Sequence, residues 1–197
     1  QVSSWLTNAD RSMLFQEQPK KLSFNNTPSK NNFTIDIDQS KTFQTMDGFG
    51  FALTGGSAMH IIKMSAPARS SLLKNLFQTD ANNIGVSYLR VSIGASDLNE
   101  KVFSYDDLPS GETDIAMEKF DLGPDKADII PVLKQILSIN PSIKIMGSPW
   151  SPPTWMKTNN DARGGRLKPE YYGAYATYFV KYIQGMKQAG ITIDAIT

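Results

Sequence analysis

A chain of 197 residues, 40% of them hydrophobic and with a formal net charge of +1, can form one ordinary domain or one domain with an appendage. Near-neutral charge, with no basic run longer than Lys20-Lys21, gives no electrostatic case for nucleic acid or an anionic membrane surface. The lack of cysteine excludes disulfides, a thiol nucleophile and Cys-ligated zinc, and no apolar stretch approaches the roughly 20 residues that span a bilayer. A start at Gln1 rather than Met fits a processed or trimmed product. Removal of an export signal would imply a secreted, periplasmic or cell-surface location.

Residues 1 to about 42 read differently from the rest. Phe33 to Asp38 alternates apolar and polar residues, the pattern of a half-buried antiparallel strand. A second strand is expected over Ser12 to Gln18, with a polar loop over Asn25 to Asn32 between the two. Two or three strands do not make an independent domain. Partners are therefore expected from outside this segment, and no later part of the chain offers them.

From Thr45 the pattern becomes strand, helix, strand. Thr45 to Leu53 reads as a short strand whose glycines let the backbone approach something closely, and a helix follows over Ser57 to Met64. Ser65 caps the next helix, Pro67 suits its first turn, and Leu72, Leu73, Leu76 and Phe77 form its apolar face. Val86 to Ile93 is a strand in which Leu89, Val91 and Ile93 alternate with Arg90 and Ser92. The polar stretch Gly94 to Pro124 is too long for an ordinary connection and is a candidate functional insertion. Asp128 caps a helix with Val132, Leu133, Ile136 and Leu137 on one face, which leads to a strand from Ile143 that must end by Ser148. A helix from Pro169 is expected to bury Tyr172, Tyr175, Phe179, Ile183 and Met186. Gly190 stops it, and Ile191 to Ile196 is the last strand.

Four strands alternating with helices indicate an α/β fold with a parallel sheet built by crossovers. Four such units in some 150 residues are half of an eight-fold barrel, whose usual size is about 250 residues. A free-standing four-stranded open sheet is the alternative. Ligands of such folds bind beyond the carboxyl ends of the strands, which directs attention to Ile143-Lys-Ile-Met-Gly-Ser-Pro-Trp-Ser-Pro-Pro-Thr-Trp155. Three prolines stiffen this loop, and Trp150 and Trp155 stand on it. A fixed indole at that rim can serve as a platform for the C–H face of a sugar, or it can be a packing residue.

Other motifs exclude more than they assert. Gly48-Phe-Gly50 matches neither a dinucleotide fingerprint nor a phosphate loop, because Leu53 stands where the third glycine belongs. His60 is the only histidine, which argues against a metal site or a Ser-His triad and leaves acid-base chemistry to carboxylates. Asp97, four residues past Ile93, is placed to accept two hydrogen bonds from vicinal hydroxyls or to cap its own loop. Arg90 lies opposite the apolar face of its strand and calls for an anionic partner, either in a packing ion pair or from a strand elsewhere. Asp47, Asp106, Asp107, Glu112 and Asp194 read as solvated or structural.

Three motifs together carry a family resemblance. Asp47-Gly-Phe-Gly50, then Tyr88-Leu-Arg-Val91 with Ser96-Asp97, then Ser148-Pro-Trp-Ser-Pro-Pro-Thr-Trp-Met-Lys157, in this order and spacing, resemble glycoside hydrolase family 30. That family holds glucosylceramidases and endo-β-1,6-glucanases. The resemblance spans Phe33 to Thr197. It implies the N-terminal half of a (β/α)8 TIM barrel (residues 43–197) preceded by strands of an accessory β-sandwich domain (residues 1–42). By position, Asp97 and Trp150 correspond to residues that hold the non-reducing glucose, with Trp155 on the same loop, and Arg90 to the arginine beside the nucleophile. The family hydrolyses with retention using two glutamates about 5–5.5 Å apart. Its acid/base lies in an Asn-Glu-Pro motif after the fourth strand. Ile193 to Thr197 matches the approach to that motif, so both glutamates are expected beyond Thr197, in the other half of the barrel.

The expectation is thus a portion of a retaining β-glucoside hydrolase, inactive by itself, with no metal or cofactor and with a carbohydrate as partner. A glucosylceramide-type substrate and a β-1,6-glucan both remain open, with a tilt toward the soluble glycan. A non-catalytic carbohydrate-binding protein is the alternative.

Overall fold

The computed structural model describes residues 1–24, 35–80 and 83–197 and divides into two compact units, Gln1–Gln44 and Thr45–Thr197. In the first unit, β1 (Trp5–Leu6) pairs antiparallel with β2 (Gln16–Glu17), in the register Trp5 with Glu17 and Leu6 with Gln16. Trp5 stacks on Phe15 at 6.1 Å, and the Phe15 amide donates to Thr7 Oγ1 at 2.9 Å. The strand expected over Ser12 to Gln18 shrinks to two residues, and its partner comes from the same segment rather than from elsewhere. A two-residue strand such as Trp5–Leu6 is too short to show any periodicity. The strand expected over Phe33 to Asp38 is not borne out at 35–38, which are irregular with Ile35 and Ile37 exposed. Phe33, Thr34 and the Asn25 to Asn32 loop lie outside the described residues.

The second unit is a four-stranded parallel sheet in the order β3 (Gly50–Leu53), β4 (Tyr88–Ile93), β5 (Lys144–Pro149), β6 (Ala195–Ile196). Between them run α1 (Gly55–Lys63), α2 (Ala66–Phe77), α3 (Ile129–Ile139) and α4 (Tyr172–Gln188). Leu53, Leu89, Val91, Ile93 and Ile145 are buried on one side of the sheet, in a core shared with Leu73, Phe77, Leu133, Ile136, Tyr178 and Tyr182 from the helices. The other side carries Ala52, Tyr88, Arg90, Ser92, Met146 and Ser148, as the two-residue alternation and the parallel register require. Among the described residues, Arg90 on that face is exposed and Tyr88, Ser92 and Met146 are only partly buried.

Helix ends follow local chemistry. Thr54 caps α1 by accepting from the Ser57 amide at 3.2 Å, and Asp128 caps α3 through the Ile129 amide at 2.5 Å. Ser65 stands at the start of α2 without a side-chain cap. The β5 ladder reaches Pro149, opposite Ile93, one residue past the expected end at Ser148. A proline can close a strand because the last position need not donate to the ladder.

One expectation is corrected by packing. Helix α4 buries Ala174, Tyr178, Tyr182 and Met186, whereas Tyr172 and Ile183 are exposed and Tyr175 and Phe179 only partly buried. Met186 is buried as expected, whereas Ala174, Tyr178 and Tyr182 take the inward places expected of Tyr175, Phe179 and Ile183, one residue later. Tyrosine's hydroxyl needs a partner when buried, and here the fold supplies surroundings for two such rings. The Tyr178 hydroxyl accepts from the Tyr105 amide at 3.1 Å, and the Tyr105 ring stacks on both Tyr178 and Tyr182 at 5.7 and 5.8 Å. The long 94–124 connection packs into the same core. It buries Tyr105, Asp106, Asp114, Met117 and Leu122, and its Tyr105 hydroxyl donates to Asp125 at 2.5 Å.

Candidate functional site

Parallel strands send their following segments out at one edge, so the loops after β3, β4 and β5 share a rim. Because Ile93 pairs with Pro149, the segment bearing Asp97 and the loop bearing Trp150 leave neighbouring strands at the same level. Asp97 is exposed at the tip of a tight turn held by others: Asn99 Oδ1 accepts from the Ser96 amide at 2.9 Å, and Ser96 Oγ accepts from the Leu98 amide at 3.2 Å. Capping thus falls to Ser96 and Asn99, and the Asp97 carboxylate has no hydrogen-bond partner among the described residues. The turn sits close against the start of α1. A Cβ on Gly56 would lie 2.2 Å from the Leu98 carbonyl oxygen, and one on Gly55 would lie 2.0 Å from Asn99 Nδ2. At Gly56 the opposing atom is backbone, so a side chain there would displace the turn, whereas at Gly55 it is the Asn99 amide that would have to shift.

Beyond β5 the loop separates its two tryptophans. Trp150 is 40% exposed, and Trp155 is 7% exposed. Trp155 stands edge-on to Tyr171 at 5.0 Å, and its indole N–H donates to the Asp106 carbonyl at 3.0 Å. The ring expected to touch substrate is therefore largely spent on packing, since a loop of this size needs a buried anchor. Lys157, also buried, braces the loop from within by donating to Ser151 Oγ at 3.2 Å and to the Ala162 carbonyl at 2.7 Å. Burial lowers the Lys157 pKa.

Arg90 is exposed on the face of the sheet opposite Leu89, Val91 and Ile93, where Nη2 donates to Ser148 Oγ at 3.0 Å. Thr197 Oγ1 reaches the same Ser148 oxygen at 3.1 Å. Its partner on this side is thus a hydroxyl, and no carboxylate is bound to it among the described residues. Asp194 takes a structural part, accepting from the Ile145 amide at 2.9 Å and from Lys144 Nζ at 3.0 Å.

Of the two readings open for Asp106, solvated or structural, its burial favours the structural one. It is 2% exposed, and neither carboxylate oxygen has a hydrogen-bond partner among the described residues. Burial first, then the charge of Asp114, push its pKa up to about 6. Ser148 and Lys157 were read only as the ends of the family motif, and Asn99 and the Gly55-Gly56 pair were given no role from sequence. The double glycine ahead of a helix was the one available signal. No group of three or more His, Cys, Asp or Glu suited to a metal occurs among the described residues, and no helix among them is long and apolar enough to cross a membrane.

Comparison with known proteins places this geometry. The model described as glycosyl hydrolase family 30 TIM-barrel domain matches residues 17–197. An endo-1,6-beta-D-glucanase of Neurospora crassa is 37% identical over 179 residues, covering 87% of this chain and 37% of that protein. The lysosomal acid glucosylceramidase of Mus musculus is 32% identical over 170 residues, covering 83% of this chain and 32% of that one. A solved endo-beta1,6-glucanase superposes with a TM-score of 0.79 at 35% identity, over 98% of this chain and 41% of its own. The chain therefore spans about a third to two fifths of the length of these relatives. The parallel sheet with its helices is α/β structure of a TIM-barrel domain rather than of an unrelated open sheet.

Proposed function

The chain belongs to glycoside hydrolase family 30, and on that premise we propose that the whole protein is a retaining β-glucoside hydrolase whose sugar is held by Asp97 and Trp150. The observation that carries this reading is their common rim: an exposed carboxylate after β4, without a hydrogen-bond partner among the described residues, and a half-exposed indole after β5, on strands paired at Ile93 and Pro149. A carboxylate accepts from two vicinal hydroxyls, and an indole face covers the apolar side of a pyranose. Membership in a hydrolase family speaks against a non-catalytic sugar binder.

In the proposed reaction one carboxylic acid protonates the leaving oxygen while a carboxylate attacks the anomeric carbon to form a glycosyl ester. Water then releases the sugar with its configuration retained. Both reacting carboxyl groups are assigned to the part of the relatives' length that this chain does not span, in the remaining β/α units of the barrel. Arg90 would face the attacking carboxylate, whose charge it stabilises from its side of the sheet. Trp155 is assigned a supporting place under the loop rather than a contact with sugar. Two-carboxylate hydrolysis needs neither metal nor cofactor.

Of the two substrate classes, a β-1,6-glucan is favoured over glucosylceramide, the glucanase being the more similar of the relatives. A polymer of that kind lies outside cells, which suits a secreted, periplasmic or cell-surface location. Residues 1–42 are proposed as strands of an accessory β-sandwich and residues 43–197 as the first four β/α units. In support, Leu14, Phe24, Ile35, Ile37 and Phe43 are exposed apolar residues, more than a free two-stranded hairpin can bury. Assay of the full-length protein on an aryl β-glucoside, a β-1,6-glucan and glucosylceramide tests the proposal. Turnover of the glucan with retention supports it, and failure on all three overturns it.

A further inference from the structure

Arg90, Ser148 and Thr197 come from three neighbouring strand segments and meet on the face of the sheet opposite Leu89, Val91 and Ile93. In the parallel register Arg90 pairs with Met146, Ser92 with Ser148 and Gly147 with Ile196, and the Thr197 amide donates to the Gly147 carbonyl at 3.1 Å. Ser148 and Thr197 therefore stand side by side at the rim, while Arg90 starts two residues below the level of Ser148. A long side chain spans that diagonal. Arg90 Nη2 donates to Ser148 Oγ at 3.0 Å, and the Thr197 hydroxyl donates to the same oxygen at 3.1 Å.

The count of donors and acceptors gives the cluster a direction. A hydroxyl oxygen has two lone pairs, and at Ser148 the guanidinium and Thr197 fill both. The Ser148 proton is left to donate, and no acceptor takes it among the described residues. Arginine carries five N–H groups, of which one is used here. The cluster thus presents donors without an acceptor, an arrangement that suits a carboxylate. Asp194, at the opposite end of β5, is already engaged by the Ile145 amide and Lys144.

We propose that Ser148 and Thr197 are positioning residues: Thr197 sets the rotation of the Ser148 hydroxyl, and Ser148 in turn aims the Arg90 guanidinium at the carboxylate it serves. An arginine gives up much rotamer freedom when it is fixed, and a lone hydroxyl that turns freely fixes it poorly. With the Thr197 proton on one lone pair, the other has a single direction, and so does the guanidinium bound to it. Without that proton the Ser148 hydroxyl is free to turn. The catalytic consequence rests on the place given to Arg90 in the proposed reaction, but the tie among the three side chains does not.

The test uses the full-length protein on an aryl β-glucoside. Thr197→Val keeps the branched shape and removes the hydroxyl. It should lower kcat about three- to tenfold with KM little changed, the worth of one neutral hydrogen bond. Thr197→Ser, which keeps the hydroxyl, should restore most of the loss. In Ser148→Ala and in Arg90→Lys backgrounds the same Thr197→Val change should cost less than about twofold, because a tie already broken has little more to lose. Equal losses in every background, or no loss in Thr197→Val, overturn the tie. A second readout needs no turnover. In nitrogen-15 NMR of the arginine side chains, with Arg90 assigned by its disappearance in Arg90→Lys, the two Nη groups should give separate signals in the unsubstituted protein and averaged ones in Thr197→Val. Averaged signals in the unsubstituted protein, or separate ones in Thr197→Val, overturn the tie. If Thr197→Val fails to fold, Ser148→Ala carries the same comparison, since it removes the oxygen that both donors share. The expected signals in a protein without glucosidase activity uphold the tie and remove only the reaction assigned to it.

Discussion

Arg90 donates to Ser148 across the strand boundary at 3.0 Å, on the face of the sheet opposite Leu89, Val91 and Ile93. The bond joins β4 to β5 at the level of the rim and fixes the guanidinium within the space that a closed barrel would enclose. A charge-assisted bond of this kind is worth about 1.5–3 kcal/mol. Arg90→Lys keeps the charge but loses the planar fork. It is expected to lower kcat/KM of the full-length protein by about 10- to 100-fold, with each 1.36 kcal/mol being tenfold. Ser148→Ala should have a smaller effect of the same sign. Steady-state kinetics on an aryl β-glucoside checks both.

The two tryptophans of the β5 loop should separate cleanly. Trp150→Ala removes a half-exposed ring and is expected to leave Tm within a few degrees while raising KM about tenfold, since an aromatic contact is worth about 0.5–1.5 kcal/mol beyond its area. Trp155→Ala removes a buried ring and the bond to the Asp106 carbonyl, and should cost about 3–5 kcal/mol of stability. Denaturant unfolding and KM, measured on the same two variants, decide the matter.

Gly56→Ala probes the Asp97 turn from behind. Its Cβ would meet the Leu98 carbonyl oxygen at 2.2 Å, a backbone atom that can move only by displacing the turn. Overpacking of this sort costs about 1–3 kcal/mol, and it should weaken glucoside binding although residue 56 touches no sugar. An unchanged KM in a folded Gly56→Ala protein would separate the turn from the site.

Asp125 provides a stability test against pH. Burial, as its main cause, raises its pKa to about 7 in the fold, against a value near 4 unfolded. The folded state thus binds a proton that the unfolded chain gives up, and stability falls as pH rises between these values. Asp125→Asn is expected to flatten the decline in Tm between pH 4 and 7. Calorimetry at four or five pH values measures it.

Much of the scaffold was legible because helices and strands record solvation in their periods. Leu89, Val91 and Ile93 alternate and are buried, and Val132, Leu133 and Ile136 lie on the inner side of α3. On α4 the same reasoning holds for Met186 but points one residue away from Tyr178 and Tyr182. Tyr178 and Tyr182 are buried only because Tyr105, more than 70 residues earlier, brings a ring to stack on both and an amide for one hydroxyl. The hairpin of Trp5–Leu6 with Gln16–Glu17 was invisible for a different reason, since two residues carry no period.

By itself the amino-acid order determined the strand-helix alternation, the lack of any thiol among its 197 residues, and the three motifs that mark the family. Each is a local property: a run of side chains, a turn residue or a spacing. Tertiary structure alone decided that Asp106 is buried without partners, that Trp155 is an anchor while Trp150 stays open, and that Arg90 meets Ser148. These depend on which distant atoms are brought within about 3 Å, and a hydrogen bond or a lost hydration shell is set by that encounter and not by a residue's neighbours in the chain.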